Sequence, residues 1–136
     1  MVTPNVLRPV DEWRDPRHRR GLAGELVAAR HLVAKGWTVL AHRYRLGRHD
    51  LDLVARRGGL VAFIEVKTRR GDAFGGARQA VGWRKRLVLE LVASGWIADH
   101  GRTGDAYRFD LVEVAWRDGQ YPHVFHIEDA WRAVRK

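Results

Sequence analysis

Asp50, Asp52, Glu65 and Lys67 are the residues of this 136-residue chain whose types and spacing can do chemistry. They flank Gly58-Gly59, a pair suited to a two-residue hairpin loop because both glycines can take positive φ. Counting outward from that loop, Arg57 faces Leu60, Asp52 faces Glu65 and Asp50 faces Lys67. Strand side chains alternate, so Asp50, Asp52, Glu65 and Lys67 are expected on one face and Leu51, Leu53, Ile64 and Val66 on the other. Two carboxylates opposed at about 5 Å repel by roughly 3 kcal/mol at an effective dielectric of about 20. Positive charge must compensate them, and it has two sources. Lys67 could supply it, which makes the patch a solvated hairpin face with a cross-strand Asp–Lys pair. A divalent cation could supply it instead, because hard oxygen ligands on two adjacent strands describe a Mg²⁺ or Mn²⁺ site, where the ion takes one or two carboxylates.

The elements that must position these groups can be read from periodicity. Residues 1 to 17 hold three of the four prolines and no apolar period, which predicts a loosely ordered arm ahead of a single domain over 18–136. From Arg19 to Lys35, Leu22, Leu26, Ala29, Leu32 and Val33 fall on one helical stripe, and Gly36 is a plausible stop. Glu25 lies about 60° from the centre of that stripe, where an acid can look inward toward a sheet. Trp37 to Tyr44 reads as a strand, and Leu46-Gly47 turns the chain into the hairpin, giving a three-strand meander. The glycine-rich, basic segment from Thr68 to Gly76 reads as a loop that starts beside the acidic patch.

A second helix is expected over Arg78 to Ala98, with Ala80, Val81, Leu87, Val88, Leu91 and Val92 as its stripe. Gly82 weakens it by roughly 1 kcal/mol relative to alanine, and Arg84 projects into the stripe, where a charge needs a partner. Either the helix breaks near Gly82, or Arg84 is aimed at an acid or a phosphate. His100 to Asp105 reads as a polar turn, Tyr107 to Trp116 as a strand, and Val124 to Ile127 as a short final strand. Ala130 to Lys136 reads as a terminal helical turn.

Composition limits the function classes. No stretch approaches the roughly 18 uncharged apolar residues of a membrane span, and Met1-Val-Thr-Pro lacks the pattern of a secretory signal, so a cytoplasmic location is expected. The absence of cysteine excludes disulfides, thiolate metal sites and cysteine nucleophiles. A formal net charge of +9 points to a polyanionic partner, with nucleic acid as the leading candidate. Most of that charge is arginine, whose planar fork matches phosphate oxygens.

The ordered set of Gly24-Glu25 on a first helix, then Asp52, then Glu65-Val66-Lys67-Thr68-Arg69, resembles the PD-(D/E)xK, or restriction-endonuclease-like, superfamily. Within it, the Glu-Val-Lys-Thr-Arg string is similar to the small bacterial YraN-like proteins. Phe74-Gly75, Ala80-Val81 with Lys85, Arg108-Phe109-Asp110, and His126-Ile127 with Ala130-Trp131 extend that resemblance over about residues 21 to 131. One departure is local: the family's Gly-Glu-Ile-Asp-Leu is His49-Asp50-Leu51-Asp52-Leu53 here, with Asp52 retained.

The resemblance implies an α/β fold with a mixed central sheet flanked by helices, similar to Holliday-junction resolvases. It also implies Mg²⁺- or Mn²⁺-dependent hydrolysis of phosphodiesters in DNA, by an endonuclease either selective for branched or junction substrates or nonspecific, with a homodimer expected because related resolvases cut paired strands symmetrically. In that scheme Asp52, Glu65 and the backbone carbonyl of Val66 hold the metal, and Lys67 positions the attacking water and stabilises the oxyanion. Glu25 takes a further water or second ion, or else forms a structural salt bridge. Arg69, Arg70, Arg84 and Lys85 are the candidate phosphate contacts. A catalytically silent nucleic-acid-binding accessory protein and a basic module for an acidic protein partner are the alternatives, because fold alone does not establish activity.

Overall fold

The computed structural model describes residues 19–70 and 81–133. The expected arm over 1–17 and residues 71–80, including the Phe74-Gly75 and Ala80 positions, lie outside the described residues. Two helices and five strands follow in the order α1 (Arg19–Ala34), β1 (Thr38–Leu46), β2 (His49–Arg57), β3 (Leu60–Arg70), α2 (Trp83–His100), β4 (Ala106–Trp116) and β5 (His123–Trp131). The strands form one sheet in sequence order, antiparallel except for the parallel β3–β4 pair that α2 bridges. This mixed α/β architecture is consistent with the expected restriction-endonuclease-like core.

The two helices cover opposite faces. Against α1, Leu53, Ala55, Ala62, Ile64, Val112 and Val114 pack with Val27, Ala28 and Leu32. Against α2, Val54, Val61, Phe63, Phe109 and Leu111 pack with Leu89, Val92, Ala93 and Trp96. With both faces covered, β2 and β3 carry short buried apolar runs at 53–55 and 61–64 rather than a strict alternation. Among the described residues no helix is long and apolar enough to cross a membrane.

The Gly58-Gly59 loop forms as expected, with Gly58 at φ +62° and Arg57 opposite Leu60. Several other expectations need correction. The buried set of α1 is Val27, Ala28, Ala29 and Leu32, and Val33 is exposed. Helix α2 starts at Trp83 with Gly82 as its cap, so the break falls at Gly82. Its core side is Leu89, Val92, Ala93 and Trp96, whereas Leu87 and Leu91 face solvent. The apolar residues of α2 occupy two stripes, and only packing against Phe63 and Val54 selects the buried one. Arg84 is exposed and lies over the Trp83 ring, 5.2 Å from its centroid, so it does not enter the core. Thr68, Arg69 and Arg70 extend β3 rather than leaving it, because parallel pairing with β4 continues to Arg70–Trp116. Ala130 and Trp131 end β5 instead of starting a helical turn: Trp131 pairs with Phe109 and stacks on it, with ring centroids 5.1 Å apart.

Candidate metal centre

Pairing between β2 and β3 runs from Arg57–Leu60 to Leu53–Ile64 and stops there, although both strands continue. Where the next backbone contact would come, the side chain of Asp52 takes its place, and the Val66 N–H donates to Asp52 Oδ2 at 2.8 Å. The two strands therefore part at the residues expected to do chemistry.

A lapse in side-chain alternation aims Asp52 there. Leu51 packs in the α2-side core and Leu53 in the α1-side core, although both were expected on one face. The neighbouring strand shows the same switch: Tyr44, paired with Leu51, joins the α2 side, while His42, paired with Leu53, reaches Glu25 on α1. Between them Arg43 adopts φ +52°. A left-handed residue in β1 beside Asp52 in β2 reverses the pleat in both strands.

The carboxyls of Asp52 and Glu65 come within hydrogen-bonding reach, as the hairpin count predicts. Asp52 is pushed well above the usual carboxylate range, first by desolvation, then by the charge and hydrogen bond of Glu65, with a further contribution from Glu25. The Val66 N–H pulls the other way and loses. Glu65 is buried, and its Oε2 lies 3.6 Å from Lys67 Nζ and 3.7 Å from Lys85 Nζ. Lys85 thus reaches the acid pair from α2. Asp50 does not join this cluster. It pairs with Arg45 at 3.0 Å on the exposed side of β1, and Lys67 stands in register with Glu113 instead of Asp50. One step past the last ladder pair Asp52 still meets Glu65, but farther along the parted strands the hairpin count no longer fixes which side chains meet.

Glu25 is also buried beside the site. His42 Nε2 donates to its Oε1 at 2.6 Å, and Arg43 donates to Oε1 at 2.8 Å and Oε2 at 3.3 Å. Burial alone would raise this carboxyl, but hydrogen bonds from His42 and Arg43 outweigh it and hold it below its ordinary value. It is therefore an ionised acid within electrostatic range of Asp52. Gly24 allows the approach: a Cβ there would fall 2.1 Å from Thr68 Cγ2, so only glycine lets α1 lie this close to β3.

Sequence reasoning missed three participants, and a fourth residue, His126, that braces the sheet outside the site. His42 and Arg43 were read only as part of a strand, and Glu113 as an ordinary strand residue. Glu113 is 2% exposed, stands beside Lys67 in register, and has Arg69 Nε 3.1 Å from its Oε1. Its signal was available, since Val112-Glu113-Val114 places an acid in an apolar strand. His126 was noted only as part of a motif. It donates to the fully buried Asp110 at 2.7 Å, which Arg108 and the Asp129 N–H also bind, at 2.7 and 2.9 Å. That network pins β5 to β4 away from the acid pair.

The donors suit a hard divalent ion in kind: two adjacent carboxyls, of which Asp52 is raised by burial and then by the charge of Glu65, with the Val66 backbone beside them. Among the described residues no three His, Cys, Asp or Glu side chains converge as a metal cage, so an ion here would complete its shell with water and substrate oxygens.

Residues 24–114 match the Uncharacterised protein family UPF0102. The chain belongs to the UPF0102 family. A UPF0102 protein of Rhodococcus jostii is 36% identical over 111 residues, covering 82% of this chain and 94% of that protein. One from Moorella thermoacetica is 40% identical over 104 residues, covering 76% and 86%. One from Mesorhizobium japonicum is 41% identical over 122 residues, covering 87% and 90%. The UPF0102 match contains Glu25, Asp52, Glu65, Lys67, Lys85 and Glu113 and stops before β5.

Proposed function

We propose that this UPF0102 protein is a metal-dependent endonuclease of the PD-(D/E)xK type that hydrolyses phosphodiester bonds in DNA. The observation that supports this most is the Asp52–Glu65 pair, held where β2 and β3 separate and flanked by Lys67 and Lys85. Asp52, Glu65 and the Val66 carbonyl would hold Mg²⁺ or Mn²⁺, which when bound supplies Lewis-acid activation of water and charge neutralisation at the phosphate. The chain's own residues do the rest. Val66 N–H fixes the rotamer of Asp52, so the carboxyl is oriented before substrate arrives. Lys67 and Lys85 place two ammonium groups beside Glu65, where a phosphodiester's charge must sit. Glu25, locked by His42 and Arg43, adds negative charge behind Asp52 and favours cation uptake over an empty acid pair. A homodimer and a preference for branched DNA belong to the same proposal.

The test is incubation of purified protein with supercoiled plasmid and a four-way junction in Mg²⁺ or Mn²⁺. Nicking is expected, with loss in both Asp52→Ala and Glu65→Ala. Equal activity in wild type and both variants would trace cleavage to a contaminant and remove the proposal. One observation favours a second reading, a silent nucleic-acid-binding protein: Lys67 and Lys85 already offset the charge of Glu65 without any metal. DNA binding that is unaffected by metal, with no nicking, would select it.

A further inference from the structure

Beyond the acid pair, the parallel strands β3 and β4 end side by side, with Thr68 against Val114, Arg69 against Ala115 and Arg70 against Trp116. A cleft of about 560 Å³ opens at these ends, closed on one side by Ala23 of α1 and on the other by the turn after β4. Thr68, Arg69, Arg70, Trp116, Arg117 and Asp118 line it. The cleft thus gathers three guanidinium groups, of which Arg69 is paired with Glu113, together with the Asp118 carboxylate. The floor is rigid, because Thr68, Arg69 and Arg70 belong to a paired strand and Arg69 is anchored to the buried Glu113. The wall is fixed too, since Gly24, next to Ala23, seats α1 directly on Thr68.

We propose that this cleft is a phosphate-binding subsite that grips the backbone of the nucleic-acid strand passing Asp52 and Glu65. Arginine matches the phosphate oxygens in a bidentate fork, the Thr68 hydroxyl is a neutral donor, and the Trp116 indole offers an apolar surface for a sugar or base. Arg70 is three residues beyond Lys67 on one strand, about 10 Å along it at the usual rise. A phosphate in the cleft and another at the acid pair therefore belong to neighbouring stretches of one strand. Asp118 at the rim repels free carboxylates and phosphate alike, so the cleft favours a phosphate delivered by a polymer with further contacts. The inference takes its substrate class from the nuclease reading, but it is tested without catalysis.

The experiment is fluorescence anisotropy of a labelled DNA oligonucleotide with the full chain in EDTA, where no metal-dependent cleavage occurs. Arg70→Ala and Arg117→Ala are expected to weaken binding about tenfold each and to lower the salt slope by about one unit. Arg30→Ala, an exposed arginine on α1 outside the cleft, should change affinity less than twofold. Arg117→Lys retains the charge and guards against loss of folding in the alanine variant, with thermal unfolding as the check. Equal effects from Arg30→Ala and the cleft variants would overturn the subsite, because they would show only diffuse attraction. NMR titration with inorganic phosphate separates the remaining source. Shifts at Thr68, Arg70 and Trp116 combined with unchanged DNA affinity in the variants would assign the cleft to a free anion and overturn the strand reading. If cleft variants lose DNA binding while wild type cuts nothing, the nuclease reading fails and the subsite stands. If wild type cuts and the variants keep its KM, the subsite fails alone.

Discussion

Burial and the neighbouring Glu65 carboxyl push Asp52 well above the usual aspartate range, and this has consequences that can be measured. Its raised pKa means that the folded state holds the proton more tightly than the unfolded chain. Its contribution to stability is therefore fully present below the ordinary aspartate range near 3.8 and is lost as pH rises through the elevated folded value. Asp52→Asn keeps an acceptor for the Val66 N–H and removes the charge. Its metal-free melting temperature should exceed that of wild type by several degrees at neutral pH, with the gap closing below about pH 4. Scanning calorimetry across pH would show this, and a constant gap would contradict the upward push on Asp52. Mn²⁺ should raise the wild-type melting temperature at pH 7.5 and lose that effect as pH falls, because proton and cation compete for Asp52. No such rise is expected in Asp52→Asn.

At the scale of elements, α1 is held against β3 by one absent side chain. Gly24→Ala would place a methyl 2.1 Å from Thr68 Cγ2 and should cost about 1–3 kcal/mol, by the usual penalty for overpacking. Removing that methyl group in Gly24→Ala/Thr68→Ser should restore much of the loss in urea denaturation, and additive effects would show that the helix does not rest on Thr68. The β4–β5 join depends on Asp110, which is inaccessible to solvent and bonded by Arg108, His126 and the Asp129 N–H. Asp110→Ala leaves the Arg108 guanidinium without its acid and His126 and the Asp129 N–H without their acceptor, and should destabilise by about 3–5 kcal/mol. Burial would raise Asp110, but the hydrogen bonds from His126 and Arg108 lower it, so its contribution is present at neutral pH and lost as pH falls through its depressed folded value. Asp52 and Asp110 thus give the pH–stability curve opposite slopes: Asp52 above about pH 4, Asp110 below it.

Over the whole molecule the net charge of +9 sets how the protein meets its partner. If about five phosphates are contacted, the logarithm of affinity should fall against the logarithm of salt with a slope of roughly −4 to −5. A slope near zero would favour an acidic protein partner instead. The positive charge is not spread evenly: Arg69, Arg70 and Arg117 gather at one end of β3 and β4, and acids within the fold offset part of the total, Glu113 at Arg69, Asp110 at Arg108 and Asp105 at Arg56. Asp105 shows the strength of such pairing, since its hydrogen bond from Arg56 takes it down to about 2. Arginine count therefore overstates the number of groups free to bind phosphate.

The local order of the chain was legible because it follows from short-range rules. The glycine pair set the β2–β3 register from Arg57–Leu60 to Leu53–Ile64, one step short of Asp52 and Glu65, and apolar runs marked β2, β3 and β4. What periodicity could not decide was which of two apolar stripes on α2 turns inward, because that depends on Phe63 and Val54 arriving from another element. Nor could it foresee the pleat reversal at Arg43 and Asp52, since a left-handed residue within a strand leaves no mark in hydrophobic alternation. The amino-acid order by itself determined that two acids meet across a tight hairpin. Only the tertiary structure decided that Glu25, Lys85 and Val66 N–H converge on them while Asp50 does not, because that convergence is made by strands parting and by a helix seated on glycine.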